Sequence, residues 1–137
     1  MSMAAIVRIG DIMSPGIKTI GRMATVADAV DMMREAGVSS LVVERRDEHD
    51  EYGLVVVTDI AREVIAKDRP AERVNIYEIM SKPVITLAAD MQVKYAVRLL
   101  VQFRLSRALV VDAARQPLGI VTLRDMVLRH PHVALEP

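Results

Sequence analysis

The chain has 137 residues, of which 52% are hydrophobic and 26% charged, enough for one compact domain that buries about two-thirds of its unfolded surface. Eighteen basic side chains cancel eighteen acidic ones, so no long-range field gathers nucleic acid or an anionic membrane, and neither is a favoured partner. The absence of cysteine excludes disulfides and thiolate ligands, no apolar run approaches the roughly 20 residues that span a bilayer, and residues 1–10 lack a secretory pattern, so the expected compartment is the cytoplasm.

The first predicted element is a helical turn over Ile9–Met13, which Ser14-Pro15-Gly16 interrupts. A short strand follows at Ile17–Ile20. Thr25–Ala36 carries apolar groups at Val26, Ala29, Val30 and Met33, the spacing of one helix face, with Asp31, Arg34 and Glu35 opposite. Thr25 and Asp28 make a capping-box-like start and Gly37 a stop. Leu41–Val43 and Leu54–Val57 read as a hairpin whose charged tip runs from Glu44 to Glu51, and a last helix covers about Asp59–Ala66. Lys67–Arg73 is a polar connector too short for freely moving domains.

The same order then returns: a helical turn at Ile76–Met80, a strand at Val84–Leu87, and a helix capped by Asp90 and running to about Phe103. A hairpin follows at Ala108–Val111 and Leu118–Val121 with Gln116-Pro117 in its turn, then a closing helix from Thr122 to about Arg129. Individual residues keep register as well. Asp11-Ile12-Met13-Ser14 answers to Glu78-Ile79-Met80-Ser81, and Thr19, Val26, Ala29 and Ser39 answer to Thr86, Val93, Ala96 and Ser106, each 67 positions on. After one slipped position Gly53 and Asp59 answer to Gly119 and Asp125, 66 on. A long repeat present only twice points to two copies of one small α+β unit, each strand-helix-strand-strand-helix behind its helical turn, packed as a pseudo-symmetric pair. The copies cover about residues 6–66 and 74–130 of one module spanning 1–137.

Candidate chemistry lies where each hairpin feeds its last helix. In Gly119-Ile120-Val121-Thr122-Leu123-Arg124-Asp125 a hydroxyl, a guanidinium and a carboxylate fall within one turn of a helix start, where unpaired N–H groups favour phosphate and a carboxylate can accept both hydroxyls of a ribose. Arg107, just before its hairpin strand, adds a second guanidinium able to make charge-assisted bonds to phosphate. Thr122-x-x-Asp125 serves equally as a helix cap that needs no ligand, as Thr25-x-x-Asp28 shows. Catalysis finds little support: the histidines are His49 in a hairpin tip and His130 and His132 near the end, with no nucleophile beside a base, no acidic cluster for metals and no glycine-rich phosphate loop.

The doubled Ile-Met-Ser, Val38-Ser39-Ser40-Leu41-Val42-Val43, Leu105-Ser106-Arg107-Ala108-Leu109-Val110-Val111-Asp112 and Gly119-x-x-Thr122-x-x-Asp125 resemble a tandem pair of cystathionine-beta-synthase (CBS) domains over about residues 6–130. The resemblance implies two repeats joined through their sheets, two related clefts that bind AMP, ADP, ATP or S-adenosylmethionine as a regulatory ligand, and a flat homodimer of four repeats that modulates another protein. In one cleft it places Thr122, Arg124, Asp125 and Arg107 at phosphate and ribose, with Ile17, Lys18, Ser39 and Ser40 bordering base and sugar. The second cleft would use Asp59, Val84, Ile85 and Ser106. Val56 stands there where the family pattern has Thr or Ser, and Thr58, two residues later, caps the helix at most, so this cleft is expected to be weak or vacant. No metal and no catalytic cofactor is implied. A module that binds no nucleotide and acts through its helices alone is the alternative.

Overall fold

The computed structural model describes residues 6–82 and 85–131. The helices are α1 (Ile9–Ile12), α2 (Val26–Ala36), α3 (Val57–Ile60), α4 (Ile76–Ile79), α5 (Val93–Gln102) and α6 (Leu123–Leu128); the strands are β1 (Ser14–Pro15), β2 (Thr19–Ile20), β3 (Ser40–Val43), β4 (Gly53–Val56), β5 (Thr86–Ala88), β6 (Arg107–Val111) and β7 (Pro117–Thr122). Helix α3 continues into a π-helical turn, Ala61–Ile65, and the connector contains a 3-10 turn, Ala71–Arg73. This is the mixed α+β content expected. Strand β1 was not anticipated, and Pro117 opens β7 instead of lying in the turn. The cap of α5 is Gln92 rather than Asp90, and Phe103, aligned with the core face by spacing, is 49% exposed, because the helix ends at Gln102 and the chain then turns away.

The chain divides into two compact units that do not coincide with the two sequence copies. Unit 1 contains residues 6–17 and 85–131; unit 2 contains residues 18–82. Each therefore takes its leading segment from the other copy. In unit 1 the four-stranded sheet has the order β1-β7-β6-β5, with β1 antiparallel to β7 through Ser14–Ile120 and Pro15–Gly119. The Ile9 and Gly10 amides donate to the Met91 and Ala89 carbonyls at 2.9 and 2.8 Å, and the Val93 amide donates to the Val7 carbonyl at 2.8 Å. In unit 2 the sheet order is β2-β3-β4, and the same ladder recurs 67 positions on: Ile76 donates to Ala24 and Val26 to Val74, each at 2.8 Å. The unmatched amides of each helix start thus find carbonyls in a distant segment, leaving few orphaned donors.

Each unit has its own core, built from the periodic positions. In unit 2, Val26, Ala29 and Met33 of α2 meet Leu41, Val43, Val55, Val64, Ile76 and Ile79; in unit 1, Val93, Ala96 and Leu100 of α5 meet Ile9, Ile12, Leu87, Val110, Val121 and Met126. Burial of a whole aliphatic side chain contributes about 1.5–3 kcal/mol, so the apolar stripes, not helix propensity, hold α2 and α5 in place. Helix α2 starts with a full capping box, Thr25 Oγ1 accepting the Asp28 amide and Asp28 Oδ2 accepting the Thr25 amide, both at 3.1 Å. It stops at Gly37, whose φ of 66° is left-handed and free of a Cβ penalty.

The tip of the first hairpin is tied down by one carboxylate. Asp50 Oδ2 accepts the Arg46 amide at 2.9 Å, Oδ1 accepts Lys82 Nζ at 3.0 Å, and Lys82 Nζ also donates to the Glu51 carbonyl at 2.6 Å. The Arg46 amide first, and the Lys82 ammonium second, hold the Asp50 carboxyl far below the usual carboxylate range. A carboxyl depressed in the folded state stabilises fully above its unfolded pKa of about 3.9, and that contribution is lost as pH falls further toward the folded value. Lys82→Met is expected to raise the Asp50 titration midpoint, followed by carbon-detected NMR of its side-chain carboxyl. An unchanged midpoint would show that Lys82 plays no part.

Candidate functional site

The second hairpin assembles the corner of unit 1 by register alone. Arg107 of β6 is the cross-strand partner of Thr122 in β7, and the Leu123 amide donates to the Ser106 carbonyl at 2.9 Å. Ser106, Arg107, Thr122 and Leu123 are thus neighbours at the point where α6 begins. Thr122 is the N-cap, in extended backbone, and its Oγ1 accepts the Asp125 amide at 3.0 Å. Arg129, at the other end of α6, donates through Nη1 to the Ile12 carbonyl at 3.0 Å, tying the helix to the leading segment.

The carboxylate of Asp125 departs from a habit of this chain. In α1, α2, α3 and α4 the acidic third residue reaches back to the N-cap amide: Asp11 to Arg8, Asp28 to Thr25 and Asp59 to Val56 at 3.1 Å each, and Glu78 to Asn75 at 2.8 Å. Asp125 occupies the same position in α6, yet no described residue bonds or ion-pairs with its half-buried carboxylate. A pure cap accounts for the Thr122 hydroxyl but leaves this acceptor unused. Arg107, half-buried, and Arg124, exposed, likewise form no ion pair with a described residue.

The equivalent corner of unit 2 has the same backbone and different chemistry. Ser40 partners Val56 across β3 and β4, and the Val57 amide donates to the Ser39 carbonyl at 3.0 Å. Here Asp59 is only 8% exposed, and its second oxygen accepts Arg62 Nη2 at 2.8 Å. Both carboxylate oxygens are engaged by the protein itself. Two local differences accompany the contrast. Val56 offers no hydroxyl to the helix start, and Arg62, one turn after Asp59, answers to Leu128 in the second copy, so Asp125 has no cation to hold it. Thr58 lies inside α3 as its second residue and is exposed; it caps nothing.

The other predicted residues fall as follows. Ile17, half-buried, belongs to unit 1 and follows Gly16, whose amide donates to the Leu118 carbonyl at 3.1 Å, toward the start of β7. Ile85 packs against the unit 1 core, and Val84 lies outside the described residues, as does His132. Lys18, exposed, belongs to unit 2, where its carbonyl accepts the Val42 amide at 2.9 Å; Ser39 and Ser40 belong to unit 2 as well. Sequence reasoning missed Arg62, although an Asp-x-x-Arg spacing on a helix signals such a pair. It also missed the reason for the two hairpin glycines. A Cβ on Gly119 would run into the Ser14 carbonyl oxygen of β1, and one on Gly53 would meet Met80 Sδ at 2.7 Å. Among the described residues no group of His, Asp or Glu is arranged to hold a metal ion, and no helix is long and apolar enough to cross a membrane.

Comparison with known proteins fits this geometry. A family model for the CBS domain matches residues 9–66 and again 76–130. An uncharacterized protein of Methanopyrus kandleri is 31% identical over 128 residues, 93% of this chain, and the chain spans 64% of that relative's length. Among solved structures, the hexameric CBS-CP12 protein from bloom-forming cyanobacteria superposes with a TM-score of 0.87 at 36% identity, covering 94% of this chain and 74% of that one. The CBS domain pair of protein MJ0100, solved with 5'-methylthioadenosine and S-adenosyl-L-methionine, superposes with a TM-score of 0.74 at 28% identity, covering 89% and 94%. With both copies matched and the fold shared, the chain belongs to the CBS-domain family, of which it carries two tandem domains.

Proposed function

We propose that this protein is a regulatory module that binds an adenosyl ligand, its ribose hydroxyls on the Asp125 carboxylate. The observation that carries the reading is that carboxylate: half-buried, one turn from a helix start, and uncommitted where its counterparts in four other helices are bonded internally. Its lone pairs, unused by any described residue, can accept both hydroxyls of a ribose. Arg107, beside Thr122, and Arg124 are unpaired cations suited to phosphate, which favours AMP, ADP or ATP over the uncharged tail of 5'-methylthioadenosine. Ile17, Lys18, Ser39 and Ser40 enter the proposal as base and sugar contacts from the family pattern. The Asp59 corner, where Thr58 is exposed on α3, takes ligand weakly or not at all, its carboxylate being occupied by the Val56 amide and Arg62, while Ile85 and Ser106, which the family pattern assigns to that cleft, lie in unit 1. The module self-associates and acts on a partner protein instead of catalysing a reaction.

A melting screen tests this directly. A ligand present at 100 times its dissociation constant adds about 2.7 kcal/mol of stability, a shift of several degrees for a chain of this size. AMP, ADP, ATP and S-adenosylmethionine are each compared with guanosine and ribose phosphate controls. Stabilisation by at least one adenosyl compound and by no control is expected. Stabilisation by none would return the chain to the ligand-free interaction module.

A further inference from the structure

Asp59 and Asp125 answer to each other in the repeat, and what separates their surroundings is one cation. The capping bond alone does not use up such a carboxylate. Asp59 Oδ2 accepts the Val56 amide at 3.1 Å, as Asp28 Oδ2 accepts that of Thr25, and Oδ1 is left over. Arg62 Nη2 takes that second oxygen at 2.8 Å, with the Asp59 side chain 12% exposed and that of Arg62 63%. Arg62 is held from its other side as well: its Nε donates to Glu63 Oε2 at 3.3 Å, and Lys67 Nζ donates to Glu63 Oε1 at 2.8 Å. Asp59, Arg62, Glu63 and Lys67 thus form a line of alternating charge along α3 and the turn that continues it. Arg62 and Glu63 lie in the π-helical turn Ala61–Ile65, the one such turn among the described residues, and turns of this kind recur at functional sites.

The second copy carries no such arrangement. Position 128, which answers to 62, is a leucine, and the arginine one place further on, Arg129, donates to the Ile12 carbonyl and not to Asp125. Helix α6 reaches Leu128 without a π-helical turn. A guanidinium donates to the same carboxylate lone pairs that a pair of sugar hydroxyls would use, so the two compete. We infer that Arg62 is an internal blocking cation: the Asp59 corner is a latent ribose-binding site, shut by Arg62 and not by the hydroxyl that Val56 lacks. The inference rests on the adenosyl reading of Asp125 proposed above and adds which residue confines strong binding to one corner. A guanidinium this exposed is screened by water, so the block is modest in strength.

Calorimetric titration with AMP tests the block in the native chain, Arg62→Leu, Arg62→Gln and Val56→Thr, each also combined with Asp59→Ala. Arg62→Leu installs the residue of the second copy, and Arg62→Gln removes the charge while keeping a polar side chain, so the result does not hang on one substitution. Both Arg62 variants are expected to bind AMP at the Asp59 corner about tenfold more tightly than the native chain. Asp59→Ala is expected to cancel that gain, and Val56→Thr alone to leave the corner shut. Unchanged affinity, a gain that survives Asp59→Ala, or opening by Val56→Thr alone would overturn the inference. Weaker binding in the Arg62 variants would overturn it too, by making Arg62 a phosphate contact. Asp125→Ala identifies the unit 1 signal in the same titrations, which keeps the two readings apart. Binding at Asp125 with no gain in the Arg62 variants sinks only the block, a gain with no signal at Asp125 sinks only the Asp125 reading, and no binding by any chain sinks both.

Discussion

Asp125→Ala is expected to weaken adenosyl binding roughly 5-fold to 150-fold, the equivalent of about 1–3 kcal/mol for losing hydrogen bonds from a buried ribose to a carboxylate. The same change should leave the fold almost untouched, because no described residue uses that carboxylate. Asp59→Ala is expected to do the reverse. There the carboxylate accepts the Val56 amide and the Arg62 guanidinium, so its removal uncaps α3 and breaks one of the two pairs of Arg62, which keeps Glu63, at about 1 kcal/mol of stability, with little change in ligand affinity. Isothermal titration of both variants, paired with urea denaturation, separates the two effects. Equal losses of affinity would refute the asymmetry between the corners.

Gly119→Ala is expected to cost about 3 kcal/mol, a fall of roughly 10 °C in melting temperature. The added methyl would meet the backbone oxygen of Ser14, which β1 pairing with β7 places against Gly119, and backbone cannot rotate away. Relief requires β1 to separate from β7, and with it the anchoring of residues 6–17 in unit 1. Gly53→Ala, at the equivalent position of the first copy, meets the sulfur of Met80 instead, the far end of a flexible side chain. Its cost is expected to be about 1 kcal/mol. Differential scanning calorimetry of the two variants decides the ranking, and a milder loss at Gly119 than at Gly53 would sink this account of both glycines.

Much of the candidate site was legible before any coordinates. Thr122 as a cap follows from a hydroxyl three residues ahead of an acid at the end of a branched strand, and the missing hydroxyl at the Asp59 corner follows from Val56. The state of the Asp125 carboxylate was not legible from that motif, because Thr122-x-x-Asp125 and Thr25-x-x-Asp28 are the same pattern. Asp28 turns back to its own N-cap amide and Asp125 does not. The choice belongs to side-chain rotamers and their surroundings, which spacing does not encode. Arg62 was legible in principle, as a cation one turn beyond an acid, and was overlooked because the glycine-to-aspartate motif ends before it.

The sequence by itself determined the long helices, the two hairpins, the doubling and the family, since helix and strand follow from the local period of apolar residues and a repeat follows from register. Only the tertiary structure decided that each compact unit is completed by the other copy's leading segment. Ser14 pairs with Ile120, and Ile76 with Ala24, through backbone amides and carbonyls. Such bonds are available to every residue type and bring together segments far apart in the chain, so no pattern of side chains announces them.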